Sequence, residues 1–295
     1  MKIIKFILWI FVLVTNLNAK EASIKSKNGN FLIFQESEKN EHFEVNLYKK
    51  LIFSSKEYNS TIYINNATYY FGPSSSIMSG SGRYVILDAL EGGYITGYSD
   101  DKDEKPLWKD KAHCLVIDMQ NGCILINETD EACVLVWDGD ELYYTMDRQK
   151  ERIELKRNIK DDLDHLFDCE NINFIDTNEC KKQNKGKIDN AIRCNAINPK
   201  NIEEYEKYLS KDSDFKHKEI LKQALISFVS NFNKNTIRDK TYLYLNPDEN
   251  SLTKAYLIKG DEVIILEEIK DKTWQKIAYI NRRGKILVRW VKILE

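Results

Sequence analysis

The side chains best suited to acid–base or metal chemistry at neutral pH are four histidines, His42, His113, His165 and His217, and none stands in a His-x-x-x-His or His-Glu-x-x-His spacing. That spacing sets two imidazoles on one helix face, so without it no metal centre is expected. Ser79 and Ser81 alternate with Gly80 and Gly82, but a nucleophile elbow needs Gly two places before and two places after its Ser. Neither serine has both, and a turn at a strand start is the expectation. The acidic run Asp100, Asp101, Asp103 and Glu104 is interleaved with Lys102 and Lys105 and lacks the Gly-to-Glu register of a calcium loop, which makes it a solvated loop. Lys181, Lys182, Lys185 and Lys187 around Gly186 form a basic piece in the same solvated class. No catalytic residue and no cofactor are assigned.

Six cysteines, Cys114, Cys123, Cys133, Cys169, Cys180 and Cys194, remain, without the Cys-x-x-Cys of a zinc or redox site. An even number in an exported chain favours disulfides, and three are expected. Export itself is read from the first nineteen residues: Lys2 and Lys5, an apolar centre from Phe6 to Val14, and a polar end at Ala19, after which cleavage is expected. The apolar centre is shorter than the ~20 residues of a spanning helix, and no later segment is apolar enough to cross a bilayer. This places the chain in the periplasm or outside the cell, without stable membrane insertion. Removing Lys2 and Lys5 takes the formal charge from −2 to −4, which gives no electrostatic reason for a nucleic-acid partner.

Those side chains must be positioned by a mainly β chain. Residues 20–150 alternate short β-branched or aromatic runs with Gly, Asn, Ser and Lys, which predicts an antiparallel sheet or sandwich, with propeller-like hairpins as the alternative. Ser26 to Gly29 and Ser79 to Gly82 repeat one pattern, a Ser three places before a turn Gly and then an aromatic-aliphatic strand. Asn121-Gly122 and Asp138-Gly139 are hairpin signals. A hairpin joining the strands from Cys123 to Trp137 sets Cys123 across from Cys133, one of fifteen connectivities six cysteines allow; Cys114 would then reach the later cysteines. Residues 151–239 read as a cysteine-held polar loop and a helical spacer. One helix is capped by Asn198 with Pro199 behind it and carries Ile202, Tyr205 and Leu209; a second is capped by Ser213 and carries Ile220, Leu221, Ala224, Leu225, Phe228 and Phe232.

The last stretch, 240–295, predicts five short strands. Tyr242, Tyr244 and Leu245 open the first; Asn246-Pro247-Asp248 turns; Lys254 to Asp261 and Val263 to Leu266 follow; Trp274 to Ile280 alternates at a two-residue period; Asn281 to Gly284 is a hairpin loop before Lys285 to Val291. This order, with Leu257-x-Lys259-Gly260-Asp261-x-Val263 and a terminal Trp290-Val291, resembles the bacterial Src-homology-3-like domain family over about a fifth of the chain. Members usually carry Gly before the final Trp; Arg289 stands there instead. The resemblance implies a small β-barrel that binds without catalysing. Its aromatic candidates for ligand contact are Tyr242, Tyr244, Trp274, Tyr279 and Trp290, since an aromatic groove is one way to grip an extended peptide.

Together these readings make a non-enzymatic exported binding protein for a protein or a peptidoglycan peptide, of open oligomeric state. In its most pointed form it is an immunity protein against a toxin delivered to the periplasm. The alternative of another class is an envelope hydrolase, or its targeting subunit, with the barrel as wall anchor.

Overall fold

The computed structural model describes residues 21–40, 43–64, 69–95, 107–129, 134–146, 149–164, 166, 177–210, 218–269, 273–281 and 284–292. His42, His165, His217, Ser213, Cys133, Cys169, the acidic run 100–105 and the export segment lie outside them. The chain is mainly β with a helical insert, and it divides into two compact units: residues to Asn158 together with Asp189–Cys194, and Ile159–Ile188 together with Asn195 onward. The helices read as a spacer thus fall in one unit with the terminal strands.

The first unit is built from β1 (Ala22–Lys25), β2 (Phe31–Asn40), β3 (Val45–Ser54), β4 (Asn59–Ile62), β5 (Tyr69–Phe71), β6 (Ile77–Met78), β7 (Tyr84–Ile95), β8 (Leu107–Asp118) and β9 (Cys123–Thr129). They form one antiparallel sheet in the order β1-β2-β3-β5-β7-β8-β9, with β4 on β3 and β6 on β7. Alternation decides which side chains go in. Leu32 and Phe34 of β2, Leu51 and Phe53 of β3, Val85 and Leu87 of β7, and Leu115 and Ile117 of β8 share one core, so the sheet coils onto itself. The other face of β7 to β9 gives Ile86, Val116 and Ile126 to a second core with Leu135 and Leu142. These come from a separate sheet of β10 (Leu135–Asp138), β11 (Glu141–Met146) and β12 (Gln149–Ile153).

The repeated Ser-to-Gly turns are structural twins. Gly29 and Gly82 have φ of 89° and 75°, and their N–H groups donate to the carbonyls of Ser26 and Ser79. Each serine Oγ then accepts from the backbone that begins the next strand, Asn30 and Tyr84. Asn121-Gly122 closes a four-residue loop instead of a two-residue one. There Gly122, at φ 74°, lies against Phe53, and a Cβ would come within 2.6 Å of that ring.

The second unit holds α1 (Ile159–Leu163), α2 (Thr177–Cys194) up to Ile188, α3 (Ile202–Ser210), α4 (Lys218–Val229) and six strands. The polar stretch before Cys194, expected as a loop, is the helix α2. Its buried positions Cys180, Gln183, Asn184, Lys187, Ile188, Asn190 and Ala191 recur at helical spacing, but four of the seven are polar, so no apolar stripe advertises them. Asn198 does cap, its Oδ1 accepting from the N–H groups of Lys200 and Asn201 one turn before α3. On α4, Leu221, Leu225 and Val229 are buried, and α3 and α4 pack on each other and on the last strand.

That strand belongs to a sheet of β13 (Lys234–Thr236), β14 (Thr241–Tyr244), β15 (Leu252–Leu257), β16 (Glu262–Glu268), β17 (Trp274–Ile280) and β18 (Ile286–Lys292). The five expected strands are all present. The barrel is not: the order β13-β16-β17-β18-β14-β15 leaves β13 and β15 at opposite ends, and they do not pair. β13 escapes sequence reading because its three side chains are all exposed and only its main chain pairs, with β16.

Cys123 bonds to Cys194, 71 residues away, and not to Cys133. Among the described residues no hairpin joins β9 to β10, because β9 pairs with β8 while β10 pairs with β11 in another sheet. Cys114 and Cys180 are disulfide-bonded as well. Beside the Cys123 bridge, Asn190 of α2 treats Ile124 as a strand would: its Oδ1 accepts from the Ile124 N–H at 2.8 Å and its amide donates to the Ile124 carbonyl at 3.1 Å. The open edge of β9 is thereby closed by one amide. Asn190→Ala is expected to cost about 2–3 kcal/mol in urea unfolding, since two buried main-chain groups lose their partner. A loss under about 0.5 kcal/mol would mean that water replaces the amide.

Candidate binding face

Chemistry-bearing side chains in the first unit are spoken for by local structure. Ser81 Oγ accepts from the Arg83 N–H at 3.1 Å, and Ser79 Oγ from that of Tyr84 at 3.2 Å, so both serines hold a turn. A cleft of about 610 Å³ there is lined by Arg83, Asp140, Glu141 and Arg152, but Arg83 pairs with Asp118 at 2.8 Å and Arg152 with Glu141 at 2.9 Å. His113 is buried, its Nδ1 3.3 Å from Asn127 Oδ1 and its Nε2 3.6 Å from Glu91. Among the described residues no three His, Cys, Asp or Glu side chains group as a metal site would require.

Asp88 of β7, the register partner of Cys114 on β8, is partly buried, and burial holds its carboxyl above the ordinary range. The unfolded chain therefore releases this proton at lower pH than the folded chain. Stability falls as pH rises from the ordinary value through the raised one, and the whole penalty stands at neutral pH. Asp88→Asn should melt a few degrees higher than the parent at pH 7, with the two curves converging at about pH 3. A gain that persists undiminished in acid would contradict this.

The terminal sheet distributes the five candidate aromatics unequally. Trp274, Lys276 and Ala278 of β17 alternate onto one face with Val288 and Trp290 of β18, and all five are buried. α3 and α4 pack on β18, and Lys276 Nζ reaches Glu203 at 2.8 Å and the Pro199 carbonyl at 2.7 Å. Trp274 and Trp290 are core residues, not groove. Tyr279 packs on the opposite face against Leu243, Leu257, Val263, Ile277 and Val291. Tyr244 is half-buried, edge-on to Trp274 with ring centroids 4.8 Å apart.

Only Tyr242 is open, and its companion is Tyr256, which sequence reasoning missed. The two are cross-strand partners on β14 and β15, their centroids 6.3 Å apart. Lys240 Nζ stands 4.9 Å from one ring centroid and 4.4 Å from the other, and Tyr242 beside it holds the ammonium above its ordinary value. Leu252 and Ile258 extend the face: Tyr242, Tyr256, Leu252 and Ile258 are 44%, 51%, 53% and 55% exposed. Along β15 only Leu257 is buried and Thr253 half-buried; Leu252, Lys254, Ala255 and Tyr256 are exposed.

Comparison with protein-family models, with curated proteins and with solved structures returned no match for this chain.

Proposed function

We propose that the chain is an exported, non-enzymatic binding protein whose terminal sheet, a relative of the bacterial Src-homology-3-like modules, grips a protein or a cell-wall peptide. The observation that carries the reading is the exposure of Tyr242 on β14, of Leu252 and Tyr256 on the adjacent β15, and of Ile258 just past its end. Four large apolar side chains left open together are costly in water unless something covers them in use. Two further points support it. The Cys123–Cys194 disulfide fits an oxidising compartment, and among the described residues no helix is long and apolar enough to cross a membrane. In the pointed form of the proposal the partner is a toxin delivered to the periplasm, which the chain neutralises by holding it.

The test is a photo-crosslinking amino acid placed at position 256 in exporting cells, with position 136, exposed on β10, as control. Position 256 should give a discrete adduct that is lost in a Tyr242→Ala chain, whereas position 136 should not. Sedimentation with purified murein sorts the wall form from the protein form. If position 256 gives no adduct and the chain stays in solution with murein present, the proposal fails.

A further inference from the structure

We infer that Asn59 is a site of N-linked glycosylation and carries an oligosaccharide on its side-chain nitrogen. This rests on the export proposed above and is independent of what the terminal sheet holds. Asn-x-Ser/Thr is the acceptor pattern for such transfer in exported chains. Three such triplets occur: Asn59-Ser60-Thr61, Asn66-Ala67-Thr68 and Asn127-Glu128-Thr129. The fold separates them. Asn66 lies outside the described residues. Asn127 is half-buried on β9, paired across to Leu115 of β8, and its Oδ1 stands 3.3 Å from Nδ1 of the buried His113.

Asn59 is open by comparison. It is the first residue of β4, paired with Ser54 where the β3–β4 hairpin closes. The loop ahead of it is held by its own groups: the Ser55 N–H donates to the Tyr58 carbonyl at 2.9 Å, and Ser55 Oγ accepts from the N–H groups of Glu57 and Tyr58. Glu57, Tyr58 and Asn59 are therefore presented to solvent, and all three are exposed. Alternation along β4 sends Ser60 and Ile62 one way and Asn59 and Thr61 the other. Ile62 enters the core, and Ser60 Oγ accepts from Arg193 Nη1 at 2.8 Å. The amide that takes the sugar and the hydroxyl two places on, by which the triplet is read, thus share the face away from the core.

The strand is also an edge. Among the described residues β4 pairs with β3 alone, so a transferase can grip the segment extended along its free main chain. Glu57, two places before the asparagine, offers that enzyme a carboxylate for a cationic side chain. The donor is an oligosaccharide joined through its anomeric carbon to a lipid pyrophosphate. The bond from that carbon to the pyrophosphate oxygen breaks and a bond to Asn59 Nδ2 forms. One amide proton goes to a base on the transferase, and the lipid pyrophosphate leaves. Once in place, the glycan covers the open edge of β4 against pairing with another chain.

The experiment expresses the full chain in exporting cells that carry a periplasmic oligosaccharyltransferase and its lipid-linked oligosaccharide, and reads the intact mass of the purified protein. The mature chain should be heavier by one oligosaccharide, and peptide mapping should place it on Asn59. Asn59→Gln and Thr61→Val should each abolish the gain while melting within about 2 °C of the parent, as surface changes do. Glu57→Gln should lower the glycosylated fraction at least about threefold. No gain in mass, a gain that persists in the Asn59→Gln chain, or a gain mapped to Asn66 or Asn127 would each overturn the inference. The proposals fail separately, because loss of the leader is read in the same spectrum. A chain that keeps its leader sinks the export reading and this inference with it, whereas a cleaved chain without sugar sinks this inference alone.

Discussion

Glu203→Ala should destabilise the protein by about 3 kcal/mol, and adding Lys276→Met to the same chain should restore most of the loss. The reasoning starts from exposure: the Lys276 side chain is 7% exposed and that of Glu203 30%. Lys276 rises from a face of the sheet shared with Trp274 and Trp290, with its Nζ 5.7 Å from the Trp290 ring centroid. Its ammonium has one carboxylate, Glu203 at 2.8 Å, and the Pro199 carbonyl at 2.7 Å. Removing Glu203 leaves a buried cation with a single neutral acceptor, which is far more costly than losing an exposed pair. Methionine fills a similar volume without charge, so the double variant should lie within about 1 kcal/mol of the parent. Urea unfolding of the four chains gives the coupling energy directly. A single-variant cost under about 1 kcal/mol would mean that the ammonium finds water, and that α3 is held to the sheet by apolar contact and the Arg289–Glu206 pair.

Removing the Cys123–Cys194 bridge is the second large effect. The bond closes a separation of 71 residues, and on the loop-entropy argument its loss lowers stability by about 4 kcal/mol. The expected drop in melting temperature for the Cys123→Ala, Cys194→Ala chain is on the order of 10 °C. The effect should couple to Asn190, because both hold the end of α2 to the start of β9. With the bridge gone, Asn190→Ala should cost a different amount from its cost alone, whereas independent sites would add. Melting within about 2 °C of the parent would show that the unfolded chain keeps the two ends together without the bond.

Much of the architecture was legible. The strands of the first unit begin at the β-branched and aromatic runs, and the paired Ser-to-Gly turns precede β2 and β7 as their spacing implies. All five terminal strands fall where turn residues delimit them. The candidate face was half legible: Tyr242 was named, but Tyr256, Leu252 and Lys240 were not. Trp274 and Trp290 were placed beside Tyr242 though the fold buries them. An aromatic side chain reads the same in sequence whether helices cover its face or leave it open.

Local chemistry thus sufficed wherever the deciding interaction lies between near neighbours: alternation, turn glycines, the Asn198 cap, the even complement of cysteines. Tertiary structure alone decided what depends on distant partners. α2 is a helix whose polar residues face inward and meet groups that no local pattern names. Cys123 takes Cys194 because α2 ends beside the start of β9. The terminal sheet stays open, and its aromatics divide into core and surface, because α3 and α4 lie on β18 and stop short of burying Tyr242 and Tyr256. Burial is a property of what arrives from elsewhere in the chain, and a residue's type and spacing do not record it.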